Sequence, residues 1–96
     1  MKSSEDPEAL LFLAEAGGDV PETDLHGLYP DQALEAAERL LNASFVRGER
    51  VVRVIHGKGE GRLREALHRV LISHPLVDRY RESSGGGATV ILLVER

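Results

Sequence analysis

The chain has no cysteine and no tryptophan among its 96 residues. Without cysteine there is no disulfide and no thiolate metal site, and the composition fits a cytoplasmic protein. Aromatic residues are scarce. Phe12, Tyr29, Phe45 and Tyr80 are the only four, too few for a platform on which successive bases stack. Long apolar runs are missing too. The longest, Ala9 to Ala14 and Ala88 to Val94, fall far short of the ~20 residues that cross a bilayer, so no membrane partner is expected. The N-terminus carries Glu5, Asp6 and Glu8 and does not read as a signal peptide. Basic residues are nearly absent from the first half. Residues 1–46 hold two against ten acids, whereas residues 47–96 hold ten against six. The overall charge of −4 therefore hides a basic second half, in which Arg47, Arg50, Arg53, Lys58, Arg62, Arg64 and Arg69 cluster around a glycine-rich loop. For phosphate binding such a local patch matters more than the sum.

A length of 96 residues makes one domain with a modest core. Residues 1–6 read as a polar, disordered tail. Pro7 to Ala16 can form a short helix, with Asp6 as its cap and Gly17-Gly18 as its end, docking on the domain or on a partner. Residues 1–21 are thus set apart as tail and helix, and residues 22–96 as the domain proper. Glu22 to His26 reads as a strand. A helix begins at Pro30 and carries Ala33, Leu34, Ala37, Leu40, Leu41, Ser44 and Phe45 at helical spacing. The β-branched stretch Arg50 to His56 is a second strand. Leu63, Ala66, Leu67, Val70 and Leu71 mark the next helix, which Pro75 stops. Leu76 to Glu82 and Ala88 to Val94 read as a hairpin joined by Ser83-Ser84-Gly85-Gly86-Gly87. A strand followed by a helix and a parallel strand, repeated, gives an α/β fold. The nearly continuous apolar character of the last strand places it inside the sheet, and the charges of the third place it at an edge. The expected architecture is a two-layer β-α-β-α-β-β sandwich with a four-stranded mixed sheet of order 1-2-4-3.

Two His-Gly pairs stand where a strand runs into a helix: Thr23-Asp24-Leu25-His26-Gly27 and His56-Gly57-Lys58-Gly59-Glu60-Gly61. Parallel neighbours bring both to the carboxyl edge of the sheet, where open α/β sheets bind ligands. Asp24 and His26 are two apart, so on a strand they project from one face. Two imidazoles can act as the acid and the base of phosphodiester cleavage near neutral pH. Asp24, His26 and His56 are therefore the candidate catalytic residues. The alternative is that each histidine merely bonds a loop carbonyl. The same three side chains can hold a divalent ion, although their spacing does not demand one, and no cofactor is required. Gly57, Lys58, Gly59 and Gly61 precede a helix, so backbone amides and the helix dipole can cradle a phosphate, with Lys58 and Arg62 adding charge. The loop is neither a P-loop nor a dinucleotide fingerprint, so no nucleotide cofactor is expected. Tyr29 can stack one base or simply begin its helix. His68 and His74 read as surface residues.

From about Glu22 onward the chain resembles the Smr (small MutS-related) domain family. The resemblance rests on Thr23-Asp24-Leu25-His26-Gly27, on His56-Gly57-Lys58-Gly59, and on the glycine hairpin Gly85-Gly86-Gly87-Ala88-Thr89 leading into an apolar strand. Thr23 departs from the family's usual leucine, and Tyr29 stands where a small capping residue is common. The resemblance implies a fold like the C-terminal domain of translation initiation factor three. It also implies nucleic-acid binding, with endonuclease activity on DNA or RNA in many members, and adds Gly86 and Gly87 to the expected binding residues. Family members occur alone or at the C-terminus of the second MutS paralogue, in roles connected with recombination and stalled ribosomes. A non-catalytic module docking on nucleic acid or the ribosome is the rival expectation. A third is a protein-interaction domain built on the acidic half and the helix around Phe12.

Overall fold

The computed structural model describes residues 6–59 and 61–96. The tail expected over residues 1–6, Asp6 apart, and Glu60 of the glycine loop lie outside the described residues.

Asp6 accepts the Glu8 N–H at 3.1 Å, and Pro7 takes the first helical position, so α1 (Pro7–Glu15) starts as its sequence directs. The chain then enters β1 (Glu22–Asp24), α2 (Pro30–Val46), β2 (Val51–Ile55), α3 (Arg62–Leu71), β3 (Val77–Glu82) and β4 (Ala88–Leu93). The sheet order is β1-β2-β4-β3, with β1 and β2 parallel and β4 antiparallel to both its neighbours. Charged β3 is the edge and apolar β4 is interior, as their compositions predict. The four-stranded mixed sheet and the α/β class are those expected.

Alternation along the central strands divides the core. Val52, Val54, Ile91 and Leu93 face α2 and α3 and pack with Leu41, Leu67 and Leu71. Val51, Val90 and Leu92 face the other way, onto Leu11 and Ala14 of α1. α2 and α3 thus cover one face of the sheet, and α1 settles on the opposite face. Arg53 holds it there. From the centre of β2 its Nη1 donates to the carbonyls of Ala14 (2.7 Å) and Gly18 (3.1 Å), and its Nε donates to Glu22 (2.7 Å). The Ala14 carbonyl belongs to the last turn of α1, where intrahelical partners run out, and Gly18 to the turn that follows. At the other side Glu8 pairs with Arg79 and Arg81, and Glu15 pairs with Arg81. Among the described residues no helix is long and apolar enough to cross a membrane.

Candidate nucleic-acid interface

The first two strands part at the carboxyl edge of the sheet. Leu25 still donates to the Ile55 carbonyl at 2.6 Å. Beyond that point the amides of His56 and Gly57 both donate to the Gly87 carbonyl, at 3.0 and 2.9 Å. The chain after β2 is therefore tied to the glycine hairpin, at the edge of the sheet where the topology reverses.

His26 is not a strand residue. β1 ends at Asp24, two positions before the expected end. The Asp24 carboxylate accepts the His26 backbone N–H at 2.9 Å, and Gly27 follows at φ +86°. This turn replaces the expected side-by-side projection of Asp24 and His26 from one strand face, because the carboxylate serves the backbone of His26. The His26 side chain is exposed and lies against Gly57. A Cβ built on Gly57 would stand 3.1 Å from His26 Cδ2, and Gly57 has φ +80°.

His26, Gly27, His56, Gly57, Lys58, Gly59, Gly61, Arg62, Leu63 and Arg64 line an open pocket of about 300 Å³. A neighbouring depression of about 340 Å³ shares Lys58, Gly59, Gly61 and Arg64 and adds Glu82, Gly85 and Gly86. Seven of the expected site residues, His26, His56, Gly57, Lys58, Gly59, Gly61 and Arg62, thus converge on one pocket. Gly86 lines the adjoining depression, and Gly87 lies beneath the stem of Lys58 with its carbonyl committed to the loop. Asp24 and Tyr29 line neither cavity. Tyr29 caps α2 and is 75% exposed. Among the described residues no group of three His, Asp or Glu side chains converges as a metal-binding cluster.

The basic patch is smaller than the sequence suggests. Arg53 is taken up by α1, and Arg50 donates to the Leu93 carbonyl and pairs with Glu95. Arg64 pairs with Glu82 at 3.3 Å across the second depression, and its guanidinium folds over Gly61. Lys58 is exposed at the pocket. α3 begins beside it, with Gly61 at φ +83° as its cap. The first amides of a helix lack intrahelical partners and attract anions.

His56 differs sharply from His26. It is only 5% exposed, and both its ring nitrogens are engaged. Nδ1 meets the Gly57 carbonyl at 3.0 Å, and Nε2 meets Thr89 Oγ1 at 2.9 Å. The same hydroxyl is 2.7 Å from Nε2 of His68. Neither His68 nor His74 is the plain surface residue expected. Burial and the nearby charges of His56 and Arg64 push the His68 imidazole below the ordinary histidine range, against the pull of Glu82. His74, nearly buried, pairs with Glu38 at 2.8 Å. Thr89 entered the sequence analysis only within the family signature and His68 only as a surface residue, so neither was expected as a polar partner of His56. The physical signal was a lone hydroxyl inside an otherwise apolar strand, since a buried hydroxyl requires a partner.

The family model of the Smr domain matches residues 23–94. An endonuclease MutS2 of Pelotomaculum thermopropionicum is 46% identical over 77 residues, which cover 76% of this chain and 10% of that protein. An endonuclease MutS2 of Symbiobacterium thermophilum is 40% identical over 89 residues, covering 88% of this chain and 11% of that protein. The chain thus spans about a tenth of the length of the curated relatives it matches. The crystal structure of the Smr domain of Thermus thermophilus MutS2 superposes with a TM-score of 0.74 at 34% identity, covering 78% of this chain and 99% of that one.

Proposed function

Since the chain belongs to the Smr domain family, we propose that it binds nucleic acid through the pocket between its two His-Gly turns and cleaves a phosphodiester there. The supporting observation is a solvent-open imidazole, His26, set against a glycine loop that carries Lys58 and leads into the positive end of α3. In this reading Lys58, Arg62 and the first amides of α3 hold a phosphate. Arg64 can exchange its partner Glu82 for a second phosphate in the adjoining depression. His26 makes one of the two proton transfers, taking the proton from the attacking oxygen or giving one to the leaving oxygen, and solvent water at this open edge makes the other. Asp24 fixes the turn that presents His26. His56, with both nitrogens engaged inside the fold, supports the loop and is not the second proton carrier. The relatives' name, endonuclease MutS2, is consistent with this chemistry.

The test is a cleavage assay on single-stranded RNA, duplex DNA and branched DNA, each with and without chelator. His26→Ala should abolish most cleavage and leave affinity nearly intact, because affinity is assigned to the cations and amides. A chelator-sensitive reaction that survives His26→Ala would sink the assignment. One observation favours a second reading, in which the domain docks on nucleic acid or the ribosome without chemistry. Of the two signature imidazoles, only His26 opens to solvent. Salt-sensitive binding with no product from any substrate is the outcome that selects it.

A further inference from the structure

The hydrogen-bond chain behind the pocket has only one arrangement of protons when both histidines are neutral. A carbonyl oxygen can only accept, so the Nδ1 of His56 that faces Gly57 must carry a hydrogen. Its Nε2 is then a lone pair, and the Thr89 hydroxyl must donate to it. Thr89 Oγ1 is left as an acceptor, and Nε2 of His68 must donate to it. The direction therefore runs from His68 through Thr89 and His56 to the Gly57 carbonyl. It starts on α3, crosses β4 and ends on the glycine loop. Thr89 is fully buried and His56 nearly so, so water cannot readily replace a missing member.

We propose that Thr89 and His68 are positioning residues for His26. They hold His56 in its Nδ1–H form, His56 fixes the Gly57 carbonyl, and Gly57 is the surface on which the His26 ring rests. The groups facing His68 are His56, Arg64 and Glu82, with the Tyr80 ring 4.8 Å away. Protonating His68 leaves its Nε2 a donor, so the direction survives when that ring is charged. Protonating His56 forces the Thr89 hydroxyl to turn and point elsewhere.

The inference rests on the proposed role of His26, but its first readout does not. Long-range proton–nitrogen NMR on the intact chain at neutral pH should show His56 as the Nδ1–H tautomer and His68 as the Nε2–H tautomer. Thr89→Val should abolish the single tautomer of His56 and shift the ring resonances of His26, and Thr89→Ser should restore both. If Thr89→Val does not fold, His68→Leu should act in the same direction, while His68→Gln keeps a donor and preserves the parent spectrum. An Nε2–H tautomer at His56, or His26 resonances unmoved by these variants, overturns the proposal. Where the parent cleaves, Thr89→Val should lower kcat by about ten- to a hundredfold with KM little changed, because a small displacement of a reacting group has that effect. An unchanged kcat beside a changed tautomer also overturns the positioning role. A parent that does not cleave overturns the catalytic reading alone, and the spectra still decide the chain.

Discussion

At the scale of single residues, Asp24 and Gly57 separate a structural role from a chemical one. The Asp24 carboxylate accepts the His26 backbone N–H. Asparagine can accept the same bond through its amide oxygen. Asp24→Asn should therefore keep most activity, whereas Asp24→Ala should lose it together with about 1 kcal/mol of stability. Activity and melting measured on both variants check this. An Asp24→Asn variant as inactive as His26→Ala would mean that the negative charge takes part in the reaction. Gly57 and Gly59 form a second contrast. Gly57 has φ +80°, and a Cβ there would crowd His26 Cδ2 at 3.1 Å. Gly59 has open space around it and no positive φ. Gly57→Ala should cost about 1–2 kcal/mol from the backbone alone and displace His26, so cleavage falls further than stability. Gly59→Ala should melt like the parent. A loss of oligonucleotide affinity in that variant would then report contact with the ligand, and unchanged affinity would remove Gly59 from the cradle.

At the scale of elements, α1 is the part whose attachment depends most on charge. Leu11 and Ala14 bury against β2 and β4, and the Arg53 clamp and the Glu8 and Glu15 ion pairs complete the contact. The hydrogen bond from Arg81 holds the Glu8 carboxyl below its ordinary value of 4.5. A carboxylate whose pKa is lowered by folding contributes stability above its unfolded pKa and loses it as pH falls through the folded one. Acidification below about pH 4.5 should thus loosen α1 before the sheet opens. Amide exchange of α1 followed against that of β4 reads this directly. Arg53→Ala should detach the helix at neutral pH, at a cost of about 1–3 kcal/mol for its charged hydrogen bonds. Equal exchange in both elements throughout would show that α1 and the sheet open as one unit. The helix also carries Phe12, 64% exposed, on the side that the sheet does not cover.

For the whole molecule, the proposed binding of a polyanion by a net-acidic domain rests on an uneven charge distribution. Several cations of the basic half are committed to the fold, Arg53 and Arg81 to α1 and Arg50 to the C-terminal strand and its following residues. Lys58, Arg62 and Arg64 are the cations that line the pocket. Replacing Lys58 and Arg62 together with alanine should weaken binding uniformly across sequences. It should also flatten the logarithmic salt slope by about 1.4–1.8, since each phosphate contact contributes about 0.7–0.9. Titrations of both proteins between low and moderate salt measure it. A slope unaffected by the double substitution would move the interface away from the glycine loop.

Local patterns and covalent geometry determined much of this protein. Alternating apolar residues in β2 and β4, the helical stripe from Ala33 to Phe45, Pro30 at a helix start and the glycine hairpin specify the elements and their order in the sheet. Each of these signals acts within a few residues. The parallel β1–β2 pair then brings His26, His56 and the loop to one edge, so most of the pocket was legible. Only the tertiary structure decided what those side chains do. The carboxylate of Asp24 turns to a backbone amide because β1 ends early. His56 closes on Thr89 and His68, which lie 33 and 12 positions away in the chain. Arg53 leaves the phosphate patch because α1 folds back over its strand. Each outcome is a choice of hydrogen-bond partner, and for His56 and Thr89 burial makes that choice compulsory. Spacing in a sequence states which groups are available. Which group each one must satisfy is set by the neighbours that the fold brings within about 3 Å.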